Sequence, residues 1–221
     1  MKLNIWIVGA GGAGLDILYW VNDWRDTQDD NVVISGFVDN KYANKNTNMD
    51  RYGDTTQKLS IISTKSSMPG AKDRYICAFG FPKDKIRFSS VMLNKGASFI
   101  TLVHPTSYVA GNSKISIGGV ICPNAVIAPN VRVGKFTTIG IHASVGHDAI
   151  IGNYCEISPG ARISGRVEVG DEVLIGSNAV ILPGLKIGSG AVVGAGSVVI
   201  ADVKSGETVL GNPSKVVWRK K

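Results

Sequence analysis

From Val109 onward the chain repeats every six residues. Sixteen successive Ile or Val residues hold that spacing without an insertion, from Val109, Ile115 and Ile121 through Val145, Ile151 and Ile157 to Val193 and Val199. The fifth hexad position is mostly small or slender, as at Ser113, Gly119, Ala125, Thr137, Ala143, Ala149, Cys155 and Ala161. Glycine is frequent directly after the aliphatic head. A period of six fits neither an α-helix nor a plain alternating strand. It fits a three-faced prism in which each hexad makes one short strand and one corner. Branched aliphatics then stack along the axis, and the slender position fits beside them. Three hexads close a coil of 18 residues, and coils stack by parallel β pairing at roughly 4.8 Å, which predicts an all-β column about 25 Å tall.

The first hundred residues follow another rule. "LNIWIV" (3–8), "VVISGFVD" (32–39), "RYICAFG" (74–80) and "SFITLV" (98–103) read as strands. "LDILYWVNDW" (15–24) has apolar residues at helical spacing, and a second helix is expected over 83–95. The polar stretch 40–57 reads as loop. Alternating strand and helix predicts a small parallel α/β sheet, half of a Rossmann-like fold. The expected organisation is an α/β domain over 1–104 followed by a parallel β-helix over 105–221.

Gly9, Gly11 and Gly14 satisfy G-x-G-x-x-G between the first strand and the first helix, and Asp39 ends the second strand. Backbone N–H groups at such a helix start suit a pyrophosphate, and an acid after the second strand suits a ribose. A tight strand-to-helix turn needs the same glycines for packing alone. A unit of about a hundred residues suits one nucleotide better than NAD. An NAD-dependent enzyme is the weaker alternative, because neither a hydride-transfer partner nor a substrate domain is visible.

The net charge of +7 is spread evenly: residues 1–104 carry 13 basic and 10 acidic side chains, and residues 105–221 carry 11 and 7. Without a basic stripe interleaved with aromatics, nucleic acid is not expected as a partner. Phosphorylated small molecules fit this surplus better. Cys77, Cys122 and Cys155 form no CxxC pair or even-numbered framework, so reduced cysteines and a cytoplasmic setting are expected. No stretch has the length and apolarity of a membrane span, and "MKLNIWIVGAGGAG" lacks a signal-peptide cleavage region.

The array resembles the hexapeptide repeats of left-handed β-helix acyltransferases. The glycine turn, "GFVD", "HP" at 104–105 and "GHDAIIG" (146–152) narrow the resemblance. They are similar to the sugar acyltransferases of the sialic acid O-acetyltransferase and UDP-amino-sugar N-acetyltransferase type. "VVGAGSVV" (192–199) and "GNPSKVV" (211–217) resemble the final coils and closing loop that hold coenzyme A in such enzymes. The resemblance implies acetyl-CoA as co-substrate, no metal, a nucleotide-linked sugar as acceptor and a homotrimer. It implies His147 as general base, Asp148 as the acid orienting its ring, and Gly165, one coil later, as backbone donor to the oxyanion. The nucleotide sugar would lie against Gly9, Ala10, Gly11, Gly12, Ala13, Gly14, Asp39 and Asn40. Coenzyme A would meet Glu156, Gly194, Ala195, Pro213, Lys215 and Arg219, with Lys220 as a further phosphate partner.

The chemistry suits such a pair. An acceptor amine or hydroxyl loses a proton as it attacks the thioester, and an imidazole titrates near the working pH. His142 lies five residues before His147, the spacing that β-helix carbonic anhydrases use for two zinc ligands. His104 is out of phase with it, and no other histidine exists to complete a set of three. Cys155 occupies the slender inward position, which argues against an acyl-cysteine intermediate.

Three residues depart from the pattern: Ala13 and Glu156 stand where relatives often have histidine, and Gly140 stands where they have asparagine. N-acetylation is the leading expectation. O-acetylation of a sugar such as sialic acid, or a binding protein that kept the fold and lost the chemistry, are the alternatives.

Overall fold

The computed structural model describes residues 2–27, 32–43 and 59–219. They form two compact units, one from residues 1–80 and 84–100 and the other from 81–83 and 101–221.

In the first unit, β1 (Leu3–Val8), β2 (Val32–Val38), β3 (Ser60–Ile62) and β4 (Asp73–Cys77) form a parallel sheet in the order β3-β2-β1-β4. Ile5, Ile7, Val8, Ile34, Phe37, Val38, Tyr75 and Ile76 are buried there. Helix α1 (Gly12–Arg25) turns Ile17, Leu18 and Val21 inward, and α2 (Pro82–Leu93) follows β4. Strand order reverses direction at β1, so the carboxyl ends of β1 and β4 flank a switch-point crevice, the usual ligand site of an open α/β sheet.

Three expectations for this region need correction. Helix α1 begins at Gly12, inside the glycine motif rather than after it. β3 pairs with β2 as an edge strand and was not anticipated, being only three residues long. Residues 98–103 are not one strand: Phe99 makes an isolated bridge to Tyr75, while Leu102–Val103 pairs with Val120–Ile121. The β-helix therefore starts before Val109. Residues 44–57 of the expected loop lie outside the described residues.

The second unit is the predicted prism. Its first face carries Lys114–Ile115, Arg132–Val133, Ile150–Ile151, Glu168–Val169 and Lys186–Ile187. The second runs from Leu102–Val103 through Val120–Ile121, Thr138–Ile139, Glu156–Ile157, Leu174–Ile175 and Val192–Val193 to a closing hairpin, Glu207–Leu210 with Lys215–Arg219. The third carries Tyr108–Val109, Val126–Ile127, Ser144–Val145, Arg162–Ile163, Val180–Ile181 and Val198–Val199. Partners stand 18 residues apart, as Val145 with Ile163 and Ile127. The hexad heads from Ile121 to Val199 are buried and packed into one core, with Val109 and Ile115 partly covered at the open end. Cys155 is buried at the slender position, its thiol donating to the Gly170 carbonyl at 3.1 Å.

The corners obey the same period. Gly118, Asn124, Asn130, Phe136, His142, Asp148, Tyr154, Gly160, Arg166, Glu172, Asn178, Gly184, Gly190 and Gly196 all have φ between 54° and 74°. The hexads from Ile115 to Val193 thus spend their fourth residue on a left-handed turn, which costs a non-glycine residue about 1–2 kcal/mol and is easiest for Asn and Asp. Where a glycine follows the aliphatic head, it has another cause. A Cβ at Gly134, Gly140, Gly146, Gly152, Gly170, Gly176 or Gly188 would stand 2.3–2.7 Å from atoms of the next coil.

Candidate active site

His147 is the third residue of its hexad, on the corner between Ser144–Val145 and Ile150–Ile151. The left-handed turn at Asp148 brings the carboxylate beside the ring, and His147 Nδ1 lies 2.7 Å from Asp148 Oδ2. Both side chains are about half exposed, 55% and 47%. Asn130, one coil earlier, donates from Nδ2 to Asp148 Oδ1 at 2.9 Å. The hydrogen bond from His147 holds the Asp148 carboxyl below the ordinary carboxylate range, and the bond from Asn130 adds to this, as does the positive charge of Arg166. Asp148 therefore stays ionised throughout the range in which an imidazole titrates, and it accepts the Nδ1 hydrogen. The free lone pair is then on Nε2.

Nε2 faces Gly165. A Cβ built there would lie 2.6 Å from Nε2 and 2.9 Å from Cε1, so only glycine leaves room for the ring. The N–H at this hexad position is not part of the interstrand ladder, which is why proline is tolerated at Pro123, Pro129, Pro159 and Pro183. On another corner the same N–H is bound by a side chain from the next coil, as Lys135 to Asn153 Oδ1 and Asn153 to Asp171 Oδ1. Gly165 N–H donates to no acceptor among the described residues. An imidazole whose Nε2 is free to take a proton and an unclaimed N–H donor thus stand one coil apart on one edge.

His142 lies on a different corner, where its carbonyl accepts from Arg162 Nη1 at 3.0 Å. His104 is buried, with Nδ1 2.9 Å from Thr106 Oγ1. No cluster of three His, Cys, Asp or Glu side chains suited to a metal occurs among the described residues.

At the switch point of the α/β unit, Gly9 has φ +114° and is packed against Ala78 O and the Phe79 ring. Gly11 is the N-cap of α1 without a side-chain cap, and Gly12 and Ala13 start the helix exposed. A Cβ on Gly14 would lie only 2.1 Å from Gly9 O, so this glycine serves the close packing of helix on loop. Asp39 is 7% exposed, and both its oxygens are engaged: Oδ2 accepts from Ala10 N–H at 2.8 Å and Oδ1 from Lys41 N–H at 2.7 Å. The acid thus clamps the glycine loop to the end of β2. Asn40 Oδ1 accepts from the N–H and hydroxyl of Thr64, and the Thr64 carbonyl accepts from Lys95 Nζ. Sequence reasoning missed Thr64 and Lys95, which stand far from Asn40 in the chain and carry no local signature.

Of the residues assigned to coenzyme A, Gly194 and Ala195 stand on the corner between Val192–Val193 and Val198–Val199, a different edge from His147. A Cβ on Gly194 would lie 2.3 Å from Leu210 Cδ1. Pro213 is exposed in the loop at 211–214, which is pinned by Val198 N–H to Gly211 O, Gly211 N–H to Ser197 Oγ and Ser214 N–H to Val198 O. Lys215 is exposed at the start of the final strand. Arg219 ends that strand, its side chain outside the described residues, as is Lys220. Glu156 lies on the second face between Thr138 and Leu174.

Residues 130–165 and 166–201 each match the bacterial transferase hexapeptide (six repeats) family. Repeat and fold define the class: the chain carries bacterial-transferase hexapeptide repeats on a left-handed parallel β-helix, the fold of the solved acetyltransferases it resembles. Among solved structures the chain is similar to WeeI from Acinetobacter baumannii AYE, at 26% identity over 98% of this chain and 100% of that one, with a TM-score of 0.84. It is similar to the acetyltransferase domain of PglB from Neisseria gonorrhoeae FA1090, solved also with acetyl coenzyme A, at 24% identity, 98% and 100% coverage and a TM-score of 0.85. PerB from Caulobacter crescentus, in complex with CoA and GDP-perosamine, matches at 22% identity over 96% of each chain, with a TM-score of 0.83. No curated protein matches the chain in sequence. No helix among the described residues is long and apolar enough to cross a membrane.

Proposed function

We propose that the chain transfers the acetyl group of acetyl-CoA to an amino group of a nucleotide-linked sugar. The observation that carries the proposal is the Asp148–His147 pair with Nε2 turned toward Gly165. The acceptor amine attacks the thioester carbonyl carbon while His147 Nε2 takes its proton. Gly165 N–H holds the oxyanion, for which a preorganised donor is worth about 2.7–4 kcal/mol in rate where one has been removed elsewhere. Collapse breaks the C–S bond, and the imidazolium returns its proton to the leaving thiolate. The products are an amide and free coenzyme A. The first turn of α1 and the Asp39-clamped loop hold the nucleotide phosphates. The likeness to PerB, solved with CoA and GDP-perosamine, supports this substrate class.

The donor-binding corner and the His147 corner are separate edges of one prism. Gly194 and Ala195 stand on a different edge from His147, which supports an active homotrimer in which one subunit's base faces its neighbour's donor site, as the resemblance implies. Threefold closure buries one edge from each copy. The test is a thiol-release assay with acetyl-CoA against UDP-, dTDP- and GDP-linked amino sugars. One acceptor should release thiol, and His147→Ala should lower kcat by roughly two to four orders of magnitude with coenzyme A binding unchanged. Undiminished turnover in that variant removes His147 from the mechanism, and no release with any acceptor removes the activity. Sedimentation should give a trimer; a fully active monomer overturns the shared site.

A further inference from the structure

The hydrogen bonds at the His147 corner do not end at Asp148. Asn112, Asn130 and Asp148 succeed one another at 18-residue intervals up one edge of the prism. Asn130 N–H donates to Asn112 Oδ1 at 3.2 Å, Asn112 Nδ2 donates to Asn130 Oδ1 at 2.7 Å, and Asn130 Nδ2 donates to Asp148 Oδ1 at 2.9 Å.

The direction of this chain follows without choosing amide orientations. A backbone N–H can only donate, so the Asn112 atom that receives it is the oxygen, and the Asn112 amino group points at Asn130. The Asn130 atom that receives that donor must in turn be its oxygen, which turns the Asn130 amino group onto Asp148. A carboxylate only accepts, and with Oδ1 engaged from below, Oδ2 is left to the ring of His147.

We infer that Asn130, backed by Asn112, is a positioning residue that holds the Asp148 carboxylate on His147 Nδ1 and so keeps the Nε2 lone pair directed at Gly165. The need is physical. Asp148 and His147 are each about half exposed, and water competes for both carboxylate oxygens. A donor oriented by the Asn112 amide, itself fixed by the Asn130 backbone N–H, pins one oxygen and with it the plane of the other. The charged and titratable groups acting on Asp148 are His147 beside it and Arg166 one coil above. Neither can replace Asn130, because His147 is the group being oriented and Arg166 acts by charge alone. This inference rests on His147 being the base.

Asn130 has φ +64°, so Asn130→Gly removes the amide while suiting the left-handed turn, and the fold is retained. The first readout is imidazole ¹⁵N NMR of the ligand-free protein at a pH where the ring is neutral. The wild type should show one tautomer, protonated at Nδ1, and Asn130→Gly a mixture of the two. In the thiol-release assay the variant should lose about three- to tenfold in kcat, with the KM for acetyl-CoA and the melting temperature unchanged or the latter raised. Asn130→Asp, which sets a second carboxylate against Asp148, should lose more, and Asn112→Ala less. A single Nδ1-protonated tautomer and wild-type kcat in Asn130→Gly overturn the inference. The spectrum needs no turnover, so its outcome is separable from that of the proposed activity. An inactive His147→Ala beside a fully active Asn130→Gly removes only the ladder.

Discussion

The two units use glycine and short polar residues in opposite ways. In the β-helix every position has a counterpart 18 residues away, so one requirement recurs along the column: slender fifth residues, left-handed fourth residues, and glycine where coils touch. In the α/β unit each feature occurs once. Gly14 exists for one carbonyl, that of Gly9, and Asp39 for the two amides of Ala10 and Lys41. Repetition spreads a defect over one coil among several, whereas a single-copy contact has no neighbour to share its loss. The His147 edge is where the repeat behaves like the single-copy unit, since the atoms that a Cβ on Gly165 would meet first all belong to the ring of His147.

Gly165→Ala should sharpen that contrast most. A Cβ 2.6 Å from Nε2 displaces the ring from its donor, so kcat should fall by roughly a hundredfold or more while the melting temperature stays near that of wild type. A loss of stability instead of rate would make Gly165 an ordinary coil glycine.

In the other unit, Gly14→Ala should do the reverse. With Cβ 2.1 Å from Gly9 O the backbone must shift, which costs about 1–3 kcal/mol. The α/β unit should lose hydrogen-exchange protection while the β-helix keeps its own. Equal loss in both units would break the comparison.

Asp39→Asn leaves one backbone donor on an amide nitrogen that cannot accept it. The expected result is a several-fold higher KM for the nucleotide sugar with kcat within about twofold, because the clamp shapes the glycine loop proposed to hold the phosphates and takes no part in proton transfer. An unchanged KM would separate Asp39 from substrate binding.

The smallest effect belongs to His142→Gly. It relieves a left-handed non-glycine residue on a corner away from His147, so stability should rise by up to about 1 kcal/mol and turnover should stay within twofold. A marked loss of activity would restore a role for this histidine.

The column, its period, its inward residues and the candidate base were legible because the β-helix is local: six residues decide one strand and one corner, and an 18-residue offset is contact. Asn112 and Asn130 were readable from that offset too, since they precede Asp148 by 36 and 18 residues. The α/β unit was legible as strands and helices, but not in its tertiary detail. That Asp39 faces backbone amides, that Thr64 and Lys95 stand behind Asn40, and that β3 flanks β2 depend on contacts between segments with no fixed spacing. The sequence alone determined which residues repeat and therefore which stack. Only the tertiary structure decided which way each hydrogen bond runs and which edge each site occupies. A period specifies neighbours, whereas donor direction and facing depend on where the backbone N–H groups point once the coils have closed.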